Sequence, residues 1–337
     1  MEYVTLYNGL KMPILGYGVY QVTKDVCERC VLDALEVGYR SIDTAQSYFN
    51  EEEVGSAIVK SGVAREDIFL TTKIWIEHYG YENARQSVLD SMEKLRTDYL
   101  DLILLHQPFA DYYGAYRAIE DLYSEGKVKA IGVSNFYPDR LVDIASFSCI
   151  KPMVNQVETH PFNQQILAKQ YMDKYGVQIE AWAPFGEGRG GLFENPVLAE
   201  IGAKYGKSTA QVMLRWNIQR GVVVIPKSVH KERMAENFNV FDFTLTEEDM
   251  TAIAALDKNE SSFFFHYDPA KVEWFVQMVE ERKKNHDSSK EKKSWRLYAE
   301  TNQIFSIGGT ARQLYRRSGE AFHLPIRNLT TDQGARR

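Results

Sequence analysis

Four side chains early in the chain are of types that can jointly protonate a carbonyl oxygen: Asp43, Tyr48, Lys73 and His106. Asp43 ends "GYRSID", Lys73 interrupts "FLTTKIW", and His106 closes "LDLILLH". Tyr48 follows Asp43 by five residues in a polar stretch. A phenol titrates near ~10 in water and seldom gives up its proton at neutral pH. A neighbouring ammonium stabilises the phenolate and is expected to lower that value. A partly buried lysine needs a counter-charge in turn, which Asp43 supplies. Tyr48 then serves as proton donor and acceptor, and His106 orients a substrate oxygen. The set suits the polarisation of a carbonyl while hydride reaches its carbon. Taken singly, an Asp–Lys pair or a strand-end histidine is usually structural; their joint placement carries the chemical reading. A metal site is the other chemical option, but the first of these strands lacks His-x-His or paired-carboxylate spacing, and Lys73 would repel a cation.

These residues need elements to bring them together. Strand-like runs are expected near 14–18 and over 41–43, 69–74, 100–106, 130–135, 153–157, 178–184 and 222–226. Between them, helical periodicity marks segments such as 25–37, 83–95, 116–125, 164–175 and 208–219. Near-continuous apolar strands alternating with helices predict a parallel sheet covered by helices. Eight such units in roughly 260 residues is the size of a (β/α)8 TIM barrel; a doubly wound open sheet is the rival. Spacings of 30 and 33 residues between Asp43, Lys73 and His106 are one βαβ repeat each. The three would then sit side by side at the C-terminal mouth of the barrel, with Tyr48 in the loop above.

The hydride donor needs a site as well. Gly186 to Gly191, "GEGRGG", matches G-x-G-x-x-G, yet no helix opens from it and no acid ends a second strand ~20 residues on. It reads better as a flexible glycine loop at the barrel mouth. Other strand ends are better placed. Ser134 and Asn135 in "GVSNF" and Gln156 in "NQVE" present groups that grip a carboxamide, and Trp182 in "EAWAPF" offers a flat face for a heterocycle. Lys227, Ser228 and Arg233 after the last strand form an anion grip suited to the 2′-phosphate of NADP, or else an ordinary solvated helix start. Trp75, His78 and Tyr112 lie in loops that wall a substrate pocket or are plain surface aromatics.

Composition narrows the class. The 337 residues are 44% hydrophobic, enough for a full core. Net charge is −6, with no basic footprint for nucleic acid. No apolar run approaches the ~18 residues needed to span a bilayer. The N-terminus reads as leaderless and the three cysteines fit a reducing compartment, so a cytoplasmic location is expected. From Arg282 onward there are 13 Lys/Arg against 5 Asp/Glu, leaving 27 against 41 in the remainder. Two regions are therefore expected: a barrel over 1–282, ending in the aromatic-rich "NESSFFFHYDPAKVEWF", and a basic linker and tail over 283–337. Cys27 and Cys30 join Val31, Ala34 and Leu35 in the buried stripe of a helix rather than in a metal site. His160, before Pro161, reads as structural.

The ordered blocks "GYRSIDTAQSYFNEEEVG", "TTKIW", "LLHQP", "GVSNF", "NQVETHP" and "IPKS" with Arg233 and Asn237 resemble the aldo-keto reductase superfamily over roughly residues 3–270. Trp182 is similar to the choice in bacterial members such as 2,5-diketo-gluconate reductases. The resemblance implies a (β/α)8 barrel with an N-terminal β-hairpin cap and NADPH bound without a Rossmann domain. It implies that Asp43, Tyr48, Lys73 and His106 are the catalytic tetrad. It assigns the nicotinamide to Ser134, Asn135, Gln156 and Trp182, places Gly18 and Val19 in the loop lining the nicotinamide and substrate pocket, counts Phe185 among the cofactor-binding residues, and gives the adenosine phosphate to Lys227, Ser228, Arg233 and Asn237. Tyr20, Trp75 and His106 then line the substrate pocket. The expected activity is NADPH-dependent reduction of an aldehyde or ketone, including keto-sugars and keto-acids, by a monomer or weak dimer. A non-catalytic NADP(H) sensor is the alternative; a sensor has no need of the acid Tyr48.

Overall fold

The computed structural model describes residues 1–284. Met1–Val276 form one compact unit and Gln277–Arg337 a second, of which 277–284 are described and helical. The expected tail, beyond residue 284, lies outside the described residues.

The first unit opens with a hairpin of β1 (Tyr3–Thr5) and β2 (Lys11–Pro13). Eight parallel strands follow: β3 (Tyr17–Gly18), β4 (Ser41–Asp43), β5 (Phe69–Ile74), β6 (Leu102–Leu105), β7 (Ile131–Ser134), β8 (Val154–Glu158), β9 (Gln178–Trp182) and β10 (Val223–Val224). Each pairs with its neighbours in chain order. The sheet closes on itself. Leu15 bridges Val224 in parallel, Gly16 N donates to Val224 O at 2.8 Å, and Val224 N donates to Ile14 O at 2.9 Å. Closure is the barrel's remedy for exposed edges. At this seam a Cβ on Gly18 would lie 3.0 Å from Ile225 O, so a side chain there would press the seam apart.

Helices surround the strands, among them α1 (Lys24–Val37), α2 (Glu51–Ser61), α3 (Tyr81–Lys94), α4 (Tyr112–Ser124), α5 (Pro138–Phe147), α6 (Ile166–Tyr175), α7 (Pro196–Tyr205), α8 (Thr209–Gln219), α9 (Lys231–Phe238) and α10 (Glu247–Ala254). The buried face of α1 is Cys27, Cys30, Val31, Ala34 and Leu35, the expected stripe. Helix α8 starts with a capping box, Ser208 against Gln211, which satisfies two otherwise orphaned N–H groups. Helices α5 and α7 begin on Pro138 and Pro196. Proline suits the first helical position, because its missing N–H would have no partner there. Asn195 accepts from Val197 N and Leu198 N and completes the start of α7.

The segment after α10 returns to the strand ends. Glu158, closing β8, accepts from Ser261 Oγ and from Ser262 N at 2.7 Å. His160 is fully buried, with Nε2 2.8 Å from Glu158 Oε1 and 3.2 Å from Ser262 Oγ. These bonds tie the aromatic-rich segment to the mouth of the barrel. Among the described residues no helix is long and apolar enough to cross a membrane.

Candidate active site

Asp43 is the last residue of β4, Lys73 the fifth of β5, and His106 follows β6 directly. Register makes them neighbours: Asp43 lies opposite Thr71, and Lys73 opposite Leu104. Lys73 is fully buried, and its Nζ donates to Asp43 Oδ1 at 2.6 Å and to Thr44 O at 2.9 Å. Its remaining proton faces the Tyr48 hydroxyl at 3.3 Å. Removing one partner of such a pair strands a buried charge, at a cost of about 3–5 kcal/mol.

Tyr48 owes its position to a 3-10 turn over Gln46–Tyr48 that is pinned on both sides. Gln46 donates to Ser87 O and Ser91 Oγ and accepts from Trp75 N. Asn50 accepts from Thr44 Oγ1 and donates to Val19 O and Val22 O. One asparagine therefore couples the Tyr48 turn to the loop carrying Val19 and Tyr20.

The ionisation states follow from burial. The expected lowering of the Tyr48 pKa is not what the surroundings produce. Burial pushes the phenol up to about 12, and the Lys73 charge pulls against that without overcoming it. Tyr48 is therefore a loaded proton donor at neutral pH. The pKa of Lys73 is raised: burial is the largest single influence and opposes its charge, but Asp43, Tyr48 and Glu180 together outweigh it. Burial, helped by Lys73 and then His266, holds His106 well below the ordinary imidazole value. His106 is accordingly neutral, with Nδ1 3.4 Å from Ser47 Oγ. Its ring stands 5.7 Å from that of Tyr48 and 5.1 Å from that of Trp75.

A second tier lies below. Gln156 Nε2 donates to Asp43 Oδ2 at 3.0 Å and to Glu180 Oε2 at 2.9 Å. Glu180 is a buried acid in mid-strand β9, raised to about 8 by desolvation and then by the Asp43 charge. Ser134 Oγ donates to Gln156 O, and Asn135 Nδ2 donates to His106 O and Ser134 Oγ. Trp182 Nε1 donates to Asn135 Oδ1 at 2.9 Å, which fixes both the indole and the amide. Asn135 sits at φ 65, a left-handed conformation that asparagine tolerates better than most residues.

Other expected positions spread around the same rim. Gly18 and Val19 are buried where β3 ends, and Tyr20 is exposed with its ring 5.0 Å from that of Tyr48. Trp75 is buried between His106 and Phe275. Phe185 leads into the 186–191 turn and packs near Phe193. That turn holds several left-handed residues, among them Glu187 at φ 53. Lys227 and Arg233 are exposed, and neither forms an ion pair among the described residues. Ser228 is engaged locally: its Oγ accepts from His230 N, and its carbonyl accepts from Tyr17 OH. Asn237 is buried within α9. His78 pairs with Glu77, and Tyr112 donates to Asp143 while packing on Phe136.

Three groups escape the sequence reading. Thr44 acts through its carbonyl and Ser47 through a loop hydroxyl, and neither residue type signals such a role. Glu180 did leave a signal, an acid inside the apolar run "IEAW".

Residues 14–258 match the Aldo/keto reductase family. The chain belongs to that family. It is 49% identical over 259 residues to the glyoxal reductase of Bacillus subtilis, covering 76% of this chain and 93% of that protein. To methylglyoxal reductase DkgA of Escherichia coli K12 it is 41% identical over 260 residues, covering 76% and 94%. A Bombyx mori aldo-keto reductase, solved in complex with NADP, is similar at 34% identity and TM-score 0.75, covering 78% of this chain and 95% of that one. As a member of the aldo/keto reductase family the protein is an NAD(P)H-dependent oxidoreductase that acts on carbonyl compounds.

Proposed function

We propose that the protein is an NADPH-dependent reductase of small aldehydes and ketones in which Tyr48 protonates the nascent alcohol oxygen. The observation that carries this is the Lys73 ammonium, held between Asp43 Oδ1 at 2.6 Å and the Tyr48 hydroxyl at 3.3 Å. Reduced nicotinamide supplies hydride to the carbonyl carbon. Tyr48 gives its proton to the oxygen, and the resulting phenolate lies against Lys73, which stabilises it. Solvent returns the proton. Neutral His106 orients the carbonyl by a hydrogen bond to its oxygen without competing as an acid.

The donor set fits the cofactor. Trp182 presents an indole held by Asn135, and Asn135 and Gln156 stand at adjoining strand ends with their N–H groups engaged within the protein, which leaves their amide oxygens to meet a carboxamide. Lys227 and Arg233 are cations on the segment after β10 with no ion pair among the described residues, suited to a phosphate monoester, and they favour NADPH over NADH. Relatives named for glyoxal and methylglyoxal put small 2-oxoaldehydes first among substrates. Replacing Tyr48 with Phe should abolish NADPH oxidation with methylglyoxal while NADPH still binds. Turnover unchanged in Tyr48→Phe would refute the assignment.

A further inference from the structure

Glu180 is a buried acid to which the proposed reaction gives no task. It lies in the middle of β9, 1% exposed, and in register with Gln156 of β8. Gln156 Nε2 donates to Glu180 Oε2 at 2.9 Å and to Asp43 Oδ2 at 3.0 Å. An amide set between two carboxyl groups must turn its N–H groups toward both, so its neighbours settle its orientation. From Asp43 the line continues to Lys73 Nζ at 2.6 Å and on to the Tyr48 hydroxyl at 3.3 Å. An unbroken run of hydrogen bonds thus joins Glu180 to the proton donor.

The groups that face Glu180 decide its charge. From β4 comes the Asp43 carboxylate, and from β5 the Lys73 ammonium. Asp43 holds that ammonium directly, so Lys73 is matched before Glu180 is counted. Strand β8 offers the neutral Gln156, and β10 sets Val223 alongside in register. Nearer the mouth, Tyr48 and His106 are both uncharged at neutral pH. Glu180 Oε1 has no partner among the described residues to steady a second negative charge. The acid therefore keeps its proton up to about pH 8. A cation brought close would tip that balance the other way.

The cofactor reading sets the nicotinamide against Trp182, Asn135 and Gln156. Trp182 is two residues past Glu180, and side chains two apart leave the same face of a strand. Gln156 touches Glu180 itself. The nicotinamide ring is neutral when reduced and positive when oxidised. In a buried, low-dielectric setting such a change of charge is felt well beyond contact distance.

We propose that Glu180 tells the two oxidation states of the cofactor apart, keeping its proton while the neutral reduced ring is bound and releasing it to solvent when the cationic oxidised ring takes that place. This rests on the NADPH reading above. It makes Glu180 a specificity-determining residue for the cofactor's oxidation state, acting from behind Gln156. At neutral pH and below, the protonated acid withholds a charge that would retain the spent cofactor, which suits an enzyme that works as a reductase.

The test titrates NADPH and NADP+ separately, without substrate, from pH 6 to pH 9 in wild type and in Glu180→Gln, which stays neutral throughout. Both nucleotides carry the same phosphates, so titration of those groups cancels in the ratio of Kd values. For a one-unit shift at Glu180, the Kd of NADP+ relative to that of NADPH should fall about eightfold across this range in the wild type. In Glu180→Gln the ratio should change less than about twofold. Calorimetry of NADP+ binding in buffers of differing ionisation enthalpy should find about half a proton released per site near pH 7.5, and almost none in the variant. A wild-type ratio that stays flat, or one that falls as far in Glu180→Gln, overturns the proposal and leaves the reductase reading standing. If neither nucleotide binds the wild type, the cofactor reading fails and takes this inference with it.

Discussion

Glu180→Gln should stabilise the protein, and by an amount that depends on pH. Glu180 is buried with Oε1 unpartnered, and Oε2 accepts from Gln156, which also serves Asp43. Two acids share one amide there, with a single lysine charge nearby. Desolvation, and then the Asp43 charge, raise Glu180 from 4.5 to about 8. The sign follows directly. Above pH 4.5 the unfolded chain sheds this proton while the folded chain keeps it, so folding costs more as pH climbs toward 8. At about 1.4 kcal/mol per pH unit, the penalty is on the order of 3 kcal/mol at pH 7, levels off near 5 above pH 8, and vanishes below 4.5. Glutamine has the same shape and no proton to retain. Its thermal midpoint should exceed the wild type's by about 5 °C at pH 7, by more at pH 8, and by almost nothing at pH 4.5. Melting both proteins across that range measures it. A midpoint difference that stays constant with pH would mean that Glu180 ionises as it does in the unfolded chain, and the two-acid argument would fall.

The remaining predictions concern the proton and the phosphate. Because Tyr48 is raised to about 12, reduction should hold its rate from pH 6 to 9, while oxidation of the alcohol, which needs the phenolate, should climb with pH. Rate profiles in both directions check this, and a reduction rate that halves by pH 8 would contradict it. Lys227→Ala with Arg233→Ala should weaken NADPH binding about 10- to 100-fold and leave NADH nearly unchanged, as fluorescence titration would show. Equal weakening of both nucleotides would remove these cations from 2′-phosphate recognition.

The strand–helix alternation was legible because each barrel strand is a short apolar run bounded by polar loops. Ser41–Asp43 and Phe69–Ile74 fall where they were expected. Elsewhere edges shifted: Leu100 makes only an isolated bridge to Val128 before β6, and the Asp101 carboxylate takes Leu70 N and Arg65. Helices α5 and α7 were harder to see, because an initial proline reads as a breaker until its place in the first turn is known. The proximity of Lys73 to Asp43 was legible for a different reason, since charged residues at the ends of adjacent parallel strands have nowhere else to go. The sign of the shift on Tyr48 was not. Sequence shows that an ammonium is near, but depth of burial decides whether it prevails, and depth belongs to the assembled barrel.

The bonds from Ser261 and Ser262 to Glu158 have a consequence for how such an enzyme diversifies. The segment matching the family ends at residue 258, and the rings of Phe263, Phe264, His266 and Phe275 all come after it. That later stretch is held to the barrel mouth from several sides: besides the Glu158 bonds, Arg189 Nη1 donates to Ser262 O, Phe263 packs on Trp182 and Phe275 on Trp75. Substitutions in that stretch would recontour the mouth while leaving the Lys73–Asp43 bond at the strand ends untouched.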